Sequence, residues 1–498
     1  MPRVRLLSVL LLLLVAVLCP AQSEPPDEPK FNVTGTVVNA LTGEPIKRAL
    51  VEVYAQQPRA IMTDGDGHFQ FEGVLRGSYS IQARKPGFFS ESEITRGRHN
   101  NPVLLNDGKQ SVTVKLYPEA TISGTILDRD GLPVPQMMVR VLSRQIEAGR
   151  ARWVAVQQKS TDDDGAYRIP GLMPGTYAIV AGPYSFPAPL LENGKGRPEG
   201  FRETFYPSGN DLSSAQKFQV KSGQKFEANF SLSPEPLYKV HGTYSGDASS
   251  VNVSLMAASL GISGSNIPTS MLEGNQFESE WTPPGNYRLV ANGNDSTGHA
   301  AAANVPLIVH QDVLNAHIAL QPLVNIPIEV EQHQVSTRKA QSHIGIDTRT
   351  QPGYLQIRAK DPWLYGTLMS GAIAPNSVLP NVNPGRYDIQ IMMSSPWFAE
   401  SVTRGDADLL TEDLVVTPGG EQQPVRIIAR DDSATIKARL DAPPNTTATL
   451  LIVPTGRDPS QVRELPIAAR GESYLPPQAP GDYTFLALDD ASDLEYTN

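Results

Sequence analysis

Five times along its 498 residues the chain reads Gly-x-Tyr and then places apolar residues at every second position. The copies are Gly77-Ser78-Tyr79, Gly175-Thr176-Tyr177, Gly285-Asn286-Tyr287, Gly385-Arg386-Tyr387 and Gly481-Asp482-Tyr483. Pro174, Pro284, Pro384 and Pro480 precede four of these glycines. Successive tyrosines stand 98, 110, 100 and 96 residues apart. That period is a domain length, well beyond the ~20–50 residues of a solenoid repeat. Proline fixes φ for a turn, glycine is expected to take φ > 0, and the chain then enters a strand with alternate residues facing a core.

A second element precedes the tyrosines. Phe69, Tyr167 and Phe277 lie ten residues before them and Tyr474 nine before, each after a turn: Asp66-Gly67, Asp164-Gly165, Glu273-Gly274 and Arg470-Gly471. Asp-Gly is among the strongest short hairpin signals. The fourth copy departs, with Ser377 and Val378 where an aromatic is expected. Openings repeat as well, in Val33-Thr34-Gly35, Ile122-Ser123-Gly124 and Val240-His241-Gly242. No stretch keeps a 3.6-residue apolar period over twelve residues. Short strands with regular turns predict an all-β chain of sandwiches.

Composition agrees. The 40 Gly and 43 Pro make up about one residue in six, against roughly 12% in average usage. They lack a G-X-Y period, and 40% apolar residues argue against disorder along the whole length. The net charge of −10 and the lack of basic runs make nucleic acid a poor partner.

Arg3 and Arg5, the apolar run Leu6–Leu18 and Cys19-Pro20-Ala21 read as a signal peptide cleaved after Ala21, too short to span a bilayer. Lipidation of Cys19 is the alternative, although Leu18 stands where a small residue is usual. Cleaved after Ala21, the mature chain would hold no cysteine, hence no disulfide, thiolate metal site or thiol nucleophile. It also holds no further apolar run long enough to cross a membrane.

The stretches Val33-x-Gly35, Gly43-x-Pro45, Ala49-x-Val51-x-Val53, Thr63-Asp64-x-Asp66-Gly67-x-Phe69 and Gly77-x-Tyr79 resemble the carboxypeptidase regulatory-like family. Ile122-x-Gly124, Gly131-x-Pro133, Thr161-Asp162-x-Asp164-Gly165-x-Tyr167 and Gly175-x-Tyr177 repeat them. The resemblance is strong over 31–236 and partial beyond. It implies prealbumin-like (Ig-like) β-sandwiches, an accessory module without catalysis, and tandem copies like those of exported bacterial proteins. The expected order is signal peptide 1–21, linker 22–30, sandwiches 31–117 and 118–236, degenerate sandwiches 237–322 and 323–431, and a fifth at 432–498. Only 15 residues follow Tyr483. The fifth copy should therefore lack a closing strand, as a fragment or with an edge open to a partner.

A search for chemistry assigns no catalytic, cofactor-binding or metal-ligating residue. None of the eight histidines begins H-x-x-E or H-E-x-x-H. Gly261-Ile262-Ser263-Gly264 misses the spacing of a nucleophile elbow. The acidic turns Asp64-x-Asp66-Gly67 and Asp162-Asp163-Asp164-Gly165 lack the further oxygens of a calcium loop and read as hairpin turns bonding their own backbone. Trp153, Trp281, Trp363 and Trp397 could stack on sugars if exposed, Trp281 and Trp363 best among them, but large aromatics are usually buried. The repeat tyrosines are expected to anchor each sandwich by a hydroxyl bond to backbone. His310 and His317 read as surface or structural residues.

The reading that follows is a non-catalytic exported protein acting as a binding, adhesion or scaffold module at the cell envelope or outside. It needs no cofactor, and its partner is a protein or polysaccharide of unassigned identity. A carbohydrate-binding array is the alternative, and an enzyme with a site assembled between domains is a third.

Overall fold

The computed structural model describes residues 30–54, 58–75, 77–94, 103–105, 110–147, 149–183, 190, 196–258, 266–335, 352–361, 368–419, 422–434, 436–442, 446–469, 472–489 and 494–496. The predicted signal peptide and nearly all of the linker lie outside them, as does Trp363. Strands make up 62% of the described residues and helix 2%, so the all-β reading holds. The chain divides into two units: Met1–Pro86 with Asn101–Leu116, and Gly87–Asn100 with Tyr117–Asn498.

In the first unit an opening strand, Lys30–Asn39, pairs antiparallel with His68–Leu75 and parallel with Gln110–Pro118. A second sheet orders Arg59–Met62, Leu50–Tyr54, Gly77–Arg84 and Val103–Leu105. Alternation places Val33, Val37, Val51, Val53, Phe69, Phe71 and Ala83 inside, where all are buried.

The second unit reuses this frame. Ala120–Asp128 pairs antiparallel with Ala166–Leu172 and parallel with Lys225–Glu227 and Phe230–Leu232. Val240–Ser245 does so with Gln276–Ser279 and Val313–Ala319, and Val324–His333 with Ser377–Val382 and Val425–Arg430. The tyrosine strands Gly175–Gly182, Gly285–Asn294, Gly385–Met393 and Tyr483–Leu488 each pair antiparallel with an inner strand. Buried apolar side chains gather in separate clusters, among them those spanning Ala120–Leu232, Val240–Leu320, Val324–Ile427 and Ala448–Leu475.

The opening glycines explain the aromatic spacing. Gly35 lies opposite Phe69, Gly124 opposite Tyr167 and Gly242 opposite Phe277. A Cβ on Gly35 or Gly242 would overlap both the facing phenylalanine ring and a carbonyl of the parallel strand, and one on Gly124 would overlap the Ala228 carbonyl. Glycine therefore lets a large ring and a neighbouring backbone close on the same point.

Three expectations change. In the fourth copy the facing pair is Ile326 and Leu379, both fully buried, eight residues before Tyr387. An aliphatic pair fills the volume that glycine and an aromatic fill elsewhere. In the fifth copy Tyr474 faces Lys437 and is 68% exposed, while Leu475 turns inward, because successive strand residues point to opposite faces. The glycine of the Pro-Gly-x-Tyr motif does not take φ > 0 at Gly175 or Gly285; a Cβ there would only touch the following tyrosine ring at 3.4–3.5 Å. Left-handed glycines sit instead in the hairpin turns, at Gly67 (φ 73°), Gly165 (φ 69°) and Gly274 (φ 69°). Among the described residues no strand pairs parallel with the fifth opening strand, Lys437–Ala438.

Gly35→Ala is expected to destabilise the first unit by about 1–3 kcal/mol through overpacking. Gly65→Ala, where an added Cβ meets nothing within 4 Å, should be near neutral. Denaturant unfolding of the two variants checks the contrast.

Candidate functional site

The repeat tyrosines form corners. The hydroxyl donates to the carbonyl four residues upstream: Tyr177 to Met173 at 2.7 Å, Tyr287 to Pro283 at 2.9 Å, Tyr387 to Asn383 at 2.7 Å and Tyr483 to Ala479 at 2.8 Å. Burial pushes the Tyr287 phenol above its ordinary range and the Tyr387 phenol up to about 12, so both stay donors.

The acidic turns spend their oxygens locally. Asp64 Oδ1 accepts from the Asp66 and His68 amides at 3.0 and 2.8 Å, and Asp162 Oδ1 from those of Asp164 and Ala166 at 3.1 and 2.8 Å. Asp128 and Asp295 head turns of the same form. Beside two of them, buried Thr63 and Thr161 each bridge an upstream carbonyl and amide. The sequence motif Thr-Asp-x-Asp-Gly is thus a turn with a threonine bolt beneath it.

The tryptophans divide. Trp397 is buried; Trp153 is half-buried against the cluster of Leu142, Ala178, Val180, Phe205 and Ala215; Trp281 is half-buried, with the Lys239 ammonium 5.0 Å from its ring centre. A cation over one face of Trp281 competes with sugar stacking on that face. His310 is exposed, and His317 contacts Thr243 Oγ1 at 3.1 Å and Ser245 Oγ at 3.2 Å.

Within the second unit several charged side chains pair across from one copy of the repeat to another. Arg197 forks onto Asp312 with two bonds of 2.9 Å, and Asp312 also accepts from the Lys239 amide at 3.0 Å. Arg150, at the hairpin after Met138–Glu147, reaches Asp388 at 3.1 Å. The same hairpin holds the chain's last described residues: Arg144 pairs with Glu495, and the Tyr496 amide donates to the Gly149 carbonyl at 3.0 Å. Farther along, the Asp458 amide donates to the Leu410 carbonyl at 2.8 Å and Gln461 Nε2 to the Ile389 carbonyl at 2.6 Å.

Asp388, Asp413 and Asp458 bring their carboxylates within 4.8 Å of one another, half-buried. Cations already fill this cluster. Lys360 Nζ contacts Asp388 at 3.0 Å and also Asp413, and Arg386 contacts Asp413 at 2.8 Å. Burial pushes the Asp413 carboxyl up, but the bonds from Lys360 and Arg386 outweigh it and hold it below the usual range. Three acids against Lys360, Arg386 and Arg150 balance in charge, so the cluster works as an ion-pair seam.

A larger cleft, about 420 Å³, opens between the Arg202–Ser213 segment and Pro283–Tyr287. Its polar walls are already paired. Arg202 meets Glu235 at 3.2 Å, Glu203 meets Arg140, and Asp211 accepts from Ser213 Oγ at 2.6 Å and the Ser214 amide at 2.9 Å. Sequence reasoning missed these seams because each joins residues far apart along the chain with no local pattern.

Residues 32–114 match the family model of the carboxypeptidase regulatory-like domain. The first sandwich is a carboxypeptidase regulatory-like domain. The chain is 25% identical to Colossin-A of Dictyostelium discoideum over 166 residues, which is 32% of this chain and 1% of that protein. Among solved structures, the minor pilin GBS52 of Streptococcus agalactiae aligns over 41% of this chain and 97% of its own, at 15% identity and a TM-score of 0.23. The shaft pilin SpaA of Lactobacillus rhamnosus GG aligns over 42% and 98%, at 10% identity and a TM-score of 0.22. The Bacillus anthracis TIE protein aligns over 59% and 51%, at 12% identity and a TM-score of 0.18. Among the described residues of this chain, no helix is long and apolar enough to cross a membrane.

The Arg197–Asp312 seam sets a pH expectation. The Arg197 bond, with the Lys239 amide, lowers the Asp312 carboxyl to about 2, below the ~3.9 of an unfolded aspartate. Its contribution is therefore present above pH ~4 and lost as pH falls toward 2. A carboxyl titration by carbon NMR should place Asp312 near 2; a midpoint near 3.9 would mean that the fork does not form.

Proposed function

We propose that the chain is a non-catalytic, exported array of five β-sandwich modules, at 31–117, 118–236, 237–322, 323–431 and 432–498, preceded by signal peptide 1–21 and linker 22–30. Its role is binding, adhesion or scaffolding at the cell envelope or outside. The observation that carries this reading is the placement of charge. Arg150 with Asp388 and Arg197 with Asp312 join one module to another, and Lys360 and Arg386 with Asp413 are paired within the fourth. A general acid or nucleophile needs a titratable group facing a vacant, water-excluding pocket. In the cleft beside Pro283–Tyr287 the carboxylates of Glu203 and Asp211 are instead held by Arg140 and by Ser213 and Ser214.

Two measurements test the proposal. N-terminal sequencing of the exported product should begin at Gln22. The mature chain should bind a cell-envelope fraction or polysaccharide without turning over peptide or glycoside substrates. Turnover that disappears in Glu203→Gln would refute the non-catalytic reading. Binding to a single glycan that disappears in Trp281→Ala would favour the carbohydrate-binding array.

A further inference from the structure

The last two tyrosine corners, Tyr387 and Tyr483, lie on strands that flank a small cleft with a different character. Its lining includes Phe398 and Leu410 on one side and Arg457, Gln461, Arg463 and Tyr483 on the other. About 30 Å³ of it is open to solvent-sized spheres, room for one or two waters or a single compact ion. Two arginines line this space, and among the described residues neither makes an ion pair. Arg463 is half-buried at the start of the strand Arg463–Ala468. Only one contact is accounted for among its five N–H donors, a long one of 3.4 Å from Nη1 to the Pro477 carbonyl. Burial lowers the Arg463 guanidinium below the usual arginine range, opposed by the nearby Tyr483 phenol and reinforced by the charge of Arg457.

The nearby acids are committed elsewhere. Asp458 caps the Ser460 amide at 2.8 Å and belongs to the cluster with Asp388 and Asp413. Glu464 Oε1 accepts from the Tyr496 hydroxyl at 3.0 Å. An enclosed guanidinium beside a second cation, without a counter-charge, is an expensive arrangement. It becomes favourable when an anion accepts the remaining N–H bonds.

We infer that this cleft is a binding site for one small monovalent anion, a halide or a single carboxylate group, held between Arg457 and Arg463. The bound charge would cancel the repulsion between the arginines and fasten the Phe398–Leu410 wall to the Ile452–Arg463 wall. Gln461 and Gln478 also line the space, their amides already donating to the Ile389 and Pro476 carbonyls, so the two guanidiniums are left to hold the anion.

Chloride-35 NMR line broadening on the mature chain, titrated at constant ionic strength against fluoride, reads occupancy directly. The expected result is a saturable broadening that Arg463→Gln removes. Arg457→Gln should weaken the affinity about tenfold, the scale of one charge-assisted contact. Acetate that displaces chloride competitively assigns the site to carboxylates as well as halides; acetate that does not displace it confines the site to halides. A wild-type titration with no saturable component overturns the inference. So does a saturable component unchanged in Arg457→Gln, a variant that keeps the half-buried Arg463 and tests the site if Arg463→Gln fails to fold.

Discussion

The bond from a tyrosine hydroxyl to the carbonyl four residues upstream is the constraint on which this architecture rests. It joins the end of a turn to the first residues of a core strand, and so fixes where that strand begins and which of its faces points inward. Once Tyr177 is pinned, Ile179 and Ala181 must enter the core; once Tyr387 is pinned, Ile389 and Ile391 must do so. Removing the hydroxyl would leave a carbonyl in a buried corner without its partner, which costs more than the bond itself is worth.

The repeat was legible because its determinants are local. Proline, a close tyrosine and period-2 apolar residues sit within a dozen positions, and so do the Asp-Gly turns that bond their own backbone. Where the determinant is a cross-strand pair, legibility fades. Gly35 with Phe69 could be guessed from spacing, but its replacement by Ile326 with Leu379 could not, since only the facing volumes are kept. Tyr474 matched the aromatic spacing to within one residue, and that one residue turned it to solvent. The glycine of Pro-Gly-x-Tyr invited an explanation from φ that fails at Gly175 and Gly285, whereas the hairpin glycines bear it out.

The seams were illegible for a related reason. Arg150 and Asp388, or Arg197 and Asp312, carry no motif, and an arginine on a hairpin reads as a solvated surface charge until its partner is placed. Pairs of this kind add specificity of docking as much as stability, because a mismatched seam would leave a charge without a partner.

The central claim is that the stretches from residue 118 onward form one interlocked body instead of beads on flexible linkers. The only cysteine is Cys19, within the predicted signal segment, so spin labels can be placed cleanly. Leu132→Cys and Val415→Cys put labels at exposed positions on either side of the Arg150–Asp388 seam. Pulsed dipolar spectroscopy on the doubly labelled mature chain should give a single narrow distance distribution that broadens when Asp388→Ala is added. A broad distribution in the chain with Asp388 intact would contradict the claim.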